Sequence, residues 1–178
     1  IFSCEAKQSW PEPNPTLLAS GLVEVLGVTA IDGTVFFAGY GQGVWQVPAA
    51  GGAVQEVGNL SVTGLGLEPK KVAADASHVY FTSFNRGAVG RLSRATGELE
   101  VISTGHSGLH DVLVDEDAVY FYASYDETIV RSEKSAGAEA VVLSAALGQP
   151  HGIVMDDDNL YVTSGSSEVT GRVTRIDK

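Results

Sequence analysis

The chain is 178 residues long and has one cysteine, Cys4. No disulfide can form within it, so a stapled mini-domain is excluded. Basic residues are scarce, with 11 Lys and Arg against 22 Asp and Glu and a net charge of −11. That balance argues against gripping a phosphate backbone and against docking on anionic lipid. No apolar run approaches the ~18 residues of a membrane-spanning helix. No apolar period of 3.6 residues is sustained either, which excludes a helical bundle. What is present is 44% hydrophobic residues and 21 glycines. The first supports a packed core, the second many tight turns. The length fits one domain.

The first fifteen residues form a separate arm. Pro11, Pro13 and Pro15 forbid regular pairing there, so the arm reads as an extended tether. Ile1-Phe2-Ser3-Cys4 resembles the end of a bacterial lipoprotein signal, with Phe2 bulkier than usual at its place. Cys4 is therefore a candidate lipid anchor, and the alternative is a free thiol on the arm. Either way the expectation is a secreted, periplasmic or cell-surface protein.

The strongest signal is internal repetition. Four ten-residue stretches align without gaps: Val28–Phe37 (VTAIDGTVFF), Val72–Phe81 (VAADASHVYF), Val112–Phe121 (VLVDEDAVYF) and Ile153–Val162 (IVMDDDNLYV). Their starts lie 44, 40 and 41 residues apart. Each has an apolar start, a polar turn and a β-branched or aromatic triplet, which is strand composition. Asp75, Asp115 and Asp156 share the fourth place, where an Asp accepts bonds from backbone two residues on. A third short strand and, in the first three repeats, a Gly-containing turn and a fourth strand follow. Four short antiparallel strands per ~40 residues is the pattern of a β-propeller blade.

The expected fold is all-β: a propeller of four four-stranded blades over residues 16–178, with repeats near 26–60, 70–104, 110–145 and 151–178. The last repeat has three strands. Residues 15–21 (PTLLASG) resemble the fourth-strand segments 99–105 and 140–144, so an N-terminal strand is expected to close the last blade. Two other arrangements stay open: a homodimer forming one eight-bladed ring, and an arc of a longer propeller.

Pro150–Asp156 with Asn159–Thr163, Val79–Ser83 and Val47–Gly52 resemble bacterial secreted propeller repeats of the NHL and YWTD-like kind. The resemblance implies the blade fold. It does not choose between lyase-like and lactonase-like enzymes and binding modules without chemistry.

A propeller ligand sits where the loops entering the first strands meet the loops joining second to third strands. Those positions supply five candidate ligand-binding residues: Lys70, Arg86, His110, Tyr125 and His151. His110 and His151 occupy equivalent places, each two residues before an aligned start, and Lys70 is their counterpart in the second repeat. His106 precedes His110 by four residues. With it, His110 and His151 make an alternative set for a divalent metal ion, or the latter two a general base. No cofactor is expected on the main reading. Phe36, Tyr80, Tyr120 and Tyr161 recur once per blade and read as packing between blades. The function expected is non-catalytic binding of a small molecule or a protein at the channel mouth, by a monomer or homodimer. The alternatives are a metal-dependent lyase or hydrolase at that mouth, and a segment that assembles with a second chain into a larger ring.

Overall fold

A computed structural model describes residues 15–22, 24–39, 43–58, 60, 65–166 and 169–178. The arm with Cys4 lies outside them. All regular elements among the described residues are strands, and no helix there is long and apolar enough to cross a membrane.

The first sheet holds β1 (Val25–Ile31), β2 (Thr34–Gly39), β3 (Gly43–Pro48) and β4 (Gln55–Gly58). The second holds β5 (Pro69–Ala74), β6 (His78–Ser83), β7 (Ala88–Ser93) and β8 (Leu99–Ser103). The third holds β9 (Leu109–Val114), β10 (Ala118–Ala123), β11 (Thr128–Glu133) and β12 (Ala140–Ser144). The fourth has β13 (Pro150–Met155), β14 (Asn159–Ser166) and β15 (Val169–Asp177). Each sheet is an antiparallel meander. In the second, third and fourth sheets the first hairpin turn is closed by the repeated aspartate: Asp75, Asp115 and Asp156 each accept two backbone N–H bonds through Oδ1. In the first sheet that turn uses Asp32 and Gly33 instead, both at positive φ, which is the mirror-image turn that Asp-Gly favours.

The period-2 pleat assigns the repeated residues to opposite faces. Val79 and Phe81 face the preceding sheet, and Tyr80 faces the following one. Three buried clusters result, joining the first sheet to the second, the second to the third and the third to the fourth. The first strands β1, β5, β9 and β13 adjoin in that order, so they form the inner edge of the stack.

The expected closing strand is not formed. Residues 15–22 carry no strand and Leu17 is exposed, so among the described residues the fourth sheet has three strands. The reason is tertiary. Residues 16–20 could complete the fourth sheet only where that sheet meets the first, and no buried cluster joins those two among the described residues.

Candidate functional site

Each first strand carries an irregularity at the same place. Pairing steps from Val25 to Gly27, from Pro69 to Lys71 and from Pro150 to Gly152, and β9 breaks register between Leu109 and Val112. The residues skipped are Leu26, Lys70 and His151, with His110 inside the break in β9. A bulge re-aims a side chain, and here Lys70 reaches His110 while His110 and His151 line one cavity. The bulged carbonyls are held from the preceding sheet: Thr82 Oγ1 donates to the His110 carbonyl at 2.8 Å, and Tyr122 Oη to the His151 carbonyl at 2.9 Å.

Lys70 Nζ lies 3.1 Å from His110 Nδ1. An ammonium has no lone pair, so it donates, and the imidazole carries its proton on Nε2. Burial, then Lys70, Lys71 and His151, hold the His110 pKa below its ordinary value. Burial and then Lys71 lower that of Lys70. His110 stacks on Tyr122, with centroids 5.5 Å apart and planes at 12°. Phe84 meets His110 and Tyr125 edge-on at 5.5 and 5.9 Å, and Lys70 Nζ stands 4.4 Å from its centroid. Burial, with Asp111 nearby, raises the Tyr122 phenol to about 12, so it stays a donor.

Beside this cluster lies a cavity of 340 Å³ lined by His110, Tyr122, Ser124, Tyr125, Gln149, Pro150 and His151. Its size is that of a small-molecule site. His151 Nε2 donates to the Gly165 carbonyl at 2.7 Å, which orients the ring at the rim.

Four of the five candidates therefore come together: Lys70, His110, Tyr125 and His151. Arg86 does not join them. Its Nε points at the Gly66 carbonyl, 3.4 Å away. The alternative metal set is not assembled either. His106 turns aside, with Nε2 2.7 Å from Ser103 Oγ and its ring 4.8 Å from that of Phe121. Among the described residues no three His, Cys, Asp or Glu are arranged to hold a metal ion. Sequence reasoning did not single out Tyr122. Its place in the other repeats holds Ala38, Thr82 and Thr163, and that one departure from a small residue was the available signal. Ser124, Gln149 and Pro150 complete the cavity wall from loops and a strand end, while Phe84 packs behind it against His110 and Tyr125.

Meandering sheets stacked face to face around adjoining first strands define the β-propeller class. Comparison with known proteins agrees. No family model matches the sequence, and no curated protein does. Among solved structures, a chain of the nidogen/laminin complex is similar at 16% identity and a TM-score of 0.68, over 79% of this chain and 56% of that one. Inactive virginiamycin B lyase from Staphylococcus aureus, solved with quinupristin, is similar at 18% identity and 0.66, over 90% and 58%. The computationally designed Ika4 protein is similar at 15% and 0.66, over 90% and 96%. The chain thus spans little more than half the length of the first two.

Proposed function

We propose that this propeller binds a small, flat, acidic molecule at its mouth, in the cavity between His110, Tyr125 and His151. One observation carries the reading: a lysine ammonium contacts His110, and that imidazole lines a cavity of ligand size together with Tyr122 and Tyr125. Lys70 attracts a carboxylate. The rings of Tyr122 and Tyr125 accept a planar group, since aromatic pairs favour stacked and edge-on contacts. The Nε2–H of His110, with Ser124 and Gln149, supplies neutral hydrogen-bonding groups.

Indole-3-acetate and its neutral amide are suitable probes, with binding read by calorimetry. The acid is expected to bind more tightly than the amide. Lys70→Met should weaken the acid about tenfold and leave the amide unchanged, and Tyr125→Ala should weaken both. No binding of either, or equal binding of acid and amide to the native chain, overturns the reading.

The lyase or hydrolase reading has one observation in its favour. A neutral imidazole beside an ammonium is a base next to an acid. Conversion of quinupristin by the native chain, lost in His110→Ala, would move the assignment there.

A further inference from the structure

The contacts between successive sheets follow one rule. In each pair, the carboxylate of a hairpin turn receives a cation from the next sheet, placed just after that sheet's third strand. Asp32 receives Arg94 at 3.3 Å, Asp75 receives Lys134 at 2.9 Å and Asp115 receives Lys178 at 2.9 Å. The same cation stands over the aromatic ring that precedes it: Arg94 over Phe36, Lys134 over Tyr80 and Lys178 over Tyr120, at 5.2 to 5.8 Å. A carboxylate, a ring and an incoming cation recur three times.

The fourth sheet has the first two parts. Tyr161 Oη donates to Asp156 Oδ2 at 2.8 Å, as Tyr80 does to Asp75 and Tyr120 to Asp115. No lysine or arginine forms an ion pair with Asp156 among the described residues. The face around it is open and largely apolar, with Arg175 opposite Tyr161 across the strand pair and Asp111 and Thr163 at the edge of its cavity. Val154 is 62% and Val173 75% exposed, and a cavity of 350 Å³ runs between them and Tyr161. In the third sheet the equivalent of Val154 is Leu113, which packs against the fourth sheet.

The first sheet cannot supply the missing part. Its position after the third strand is fixed by backbone pairing, since Ala49, Arg94 and Lys178 donate their N–H to the equivalent turn residues Gly33, Ser77 and Asp158. That position holds alanine. A four-sheet ring closed on itself leaves Asp156 without its cation, and so does a head-to-tail homodimer.

We infer that the open face of the fourth sheet docks a further propeller sheet, one whose third strand is followed by lysine or arginine. Charge complementarity selects it, because Asp156 and Tyr161 form a preset acceptor for a cation. Apolar complementarity supports it: Val28 of the first sheet is 68% exposed while its equivalents Val72, Val112 and Ile153 are 7, 3 and 4% exposed, each buried against a preceding sheet. A face of the Val28 kind is what the fourth sheet lacks.

Ala49 is exposed in a turn, so Ala49→Lys gives the chain's own first sheet the missing cation and makes it the probe. Association is read by light scattering over a concentration series, against the 18.6 kDa of one chain. Ala49→Lys should associate at about tenfold lower concentration than the native chain. Adding Asp156→Asn should return it to native behaviour. The inference is overturned if Ala49→Lys changes nothing, if Asp156→Asn fails to reverse its effect, or if the native chain associates as tightly as Ala49→Lys.

Discussion

Tyr120 and Tyr161 stand at the same place in neighbouring sheets. Each donates its hydroxyl to the turn aspartate five residues earlier, at 3.0 and 2.8 Å. Beyond that bond they differ. Tyr120 is 2% exposed beneath the fourth sheet, with the Lys178 ammonium 5.5 Å from its ring. Among the described residues no sheet packs over Tyr161, which is partly exposed. The aspartate–tyrosine pair is thus a local property of the second, third and fourth repeats, made by a hairpin alone. Burial and the cation belong to the interface. A repeat protein separates these two contributions, intrinsic and between neighbours, and here one chain displays both states.

The largest test removes the ring from each. Tyr120→Ala empties a packed interface and should cost about 3–5 kcal/mol. Tyr161→Ala should cost only a small fraction of that, since it removes a ring that no sheet covers. Urea midpoints measure both. Equal losses would break the comparison and mean that the fourth sheet's face is covered in solution.

That contrast also marks what the sequence could disclose. The turn aspartates, the triplets and the repeat period are local, and they identified the sheets and their strand order. Lys134 and Lys178 lie 59 and 63 residues from the aspartates they serve, and no local pattern pairs them. The missing closing strand has the same origin, because residues 16–20 have strand-like composition but need a neighbour that only ring geometry provides. At the mouth, His106 and His110 look alike in sequence. The bulge in β9 sends His110 to the cavity, while His106 is taken up by Ser103 and Phe121. Repeat equivalence pointed to His110 and His151, which line one cavity, and the single tyrosine at position 122 lines it with them.

A smaller effect comes from acid. Burial raises the Asp115 pKa, but Lys178, two backbone N–H groups and Tyr120 outweigh it and hold the carboxyl below its usual value. A carboxyl with a depressed folded pKa stabilises above its unfolded value of ~4. That stability is lost as pH falls through the folded value. Asp115→Asn should therefore cost about 1 kcal/mol at neutral pH, after solvent screening, and should flatten the acid limb of the stability curve below pH ~4. Asp156 is also depressed, to about 2, by the Tyr161 hydroxyl first and then by the Asn159 and Asp158 backbone. Asp156 is exposed and no ion pair reaches it among the described residues, so solvent screens these bonds and Asp156→Asn should lose less at neutral pH. An equal loss would mean that the turn bonds, not the neighbouring sheet, carry the effect.

The smallest expected change sharpens the rule at its weakest instance. Asp32 is 63% exposed and reaches Arg94 at 3.3 Å. Arg94 is also held by the carbonyls of Asp75 and Ala76, at 2.8 and 2.9 Å, within its own sheet. Its guanidinium is thus positioned over Phe36 without help from Asp32. Asp32→Asn should cost under about 0.5 kcal/mol, and added salt should abolish the difference. Lys178 has less support of that kind, with one bond to the Asp157 carbonyl at 3.3 Å besides Asp115. If Asp32→Asn cost as much as Asp115→Asn, the carboxylate would be the essential partner at every interface. If it costs little, the cation over the ring suffices where backbone carbonyls fix it, and the carboxylate matters most where the lysine chain is otherwise free to swing.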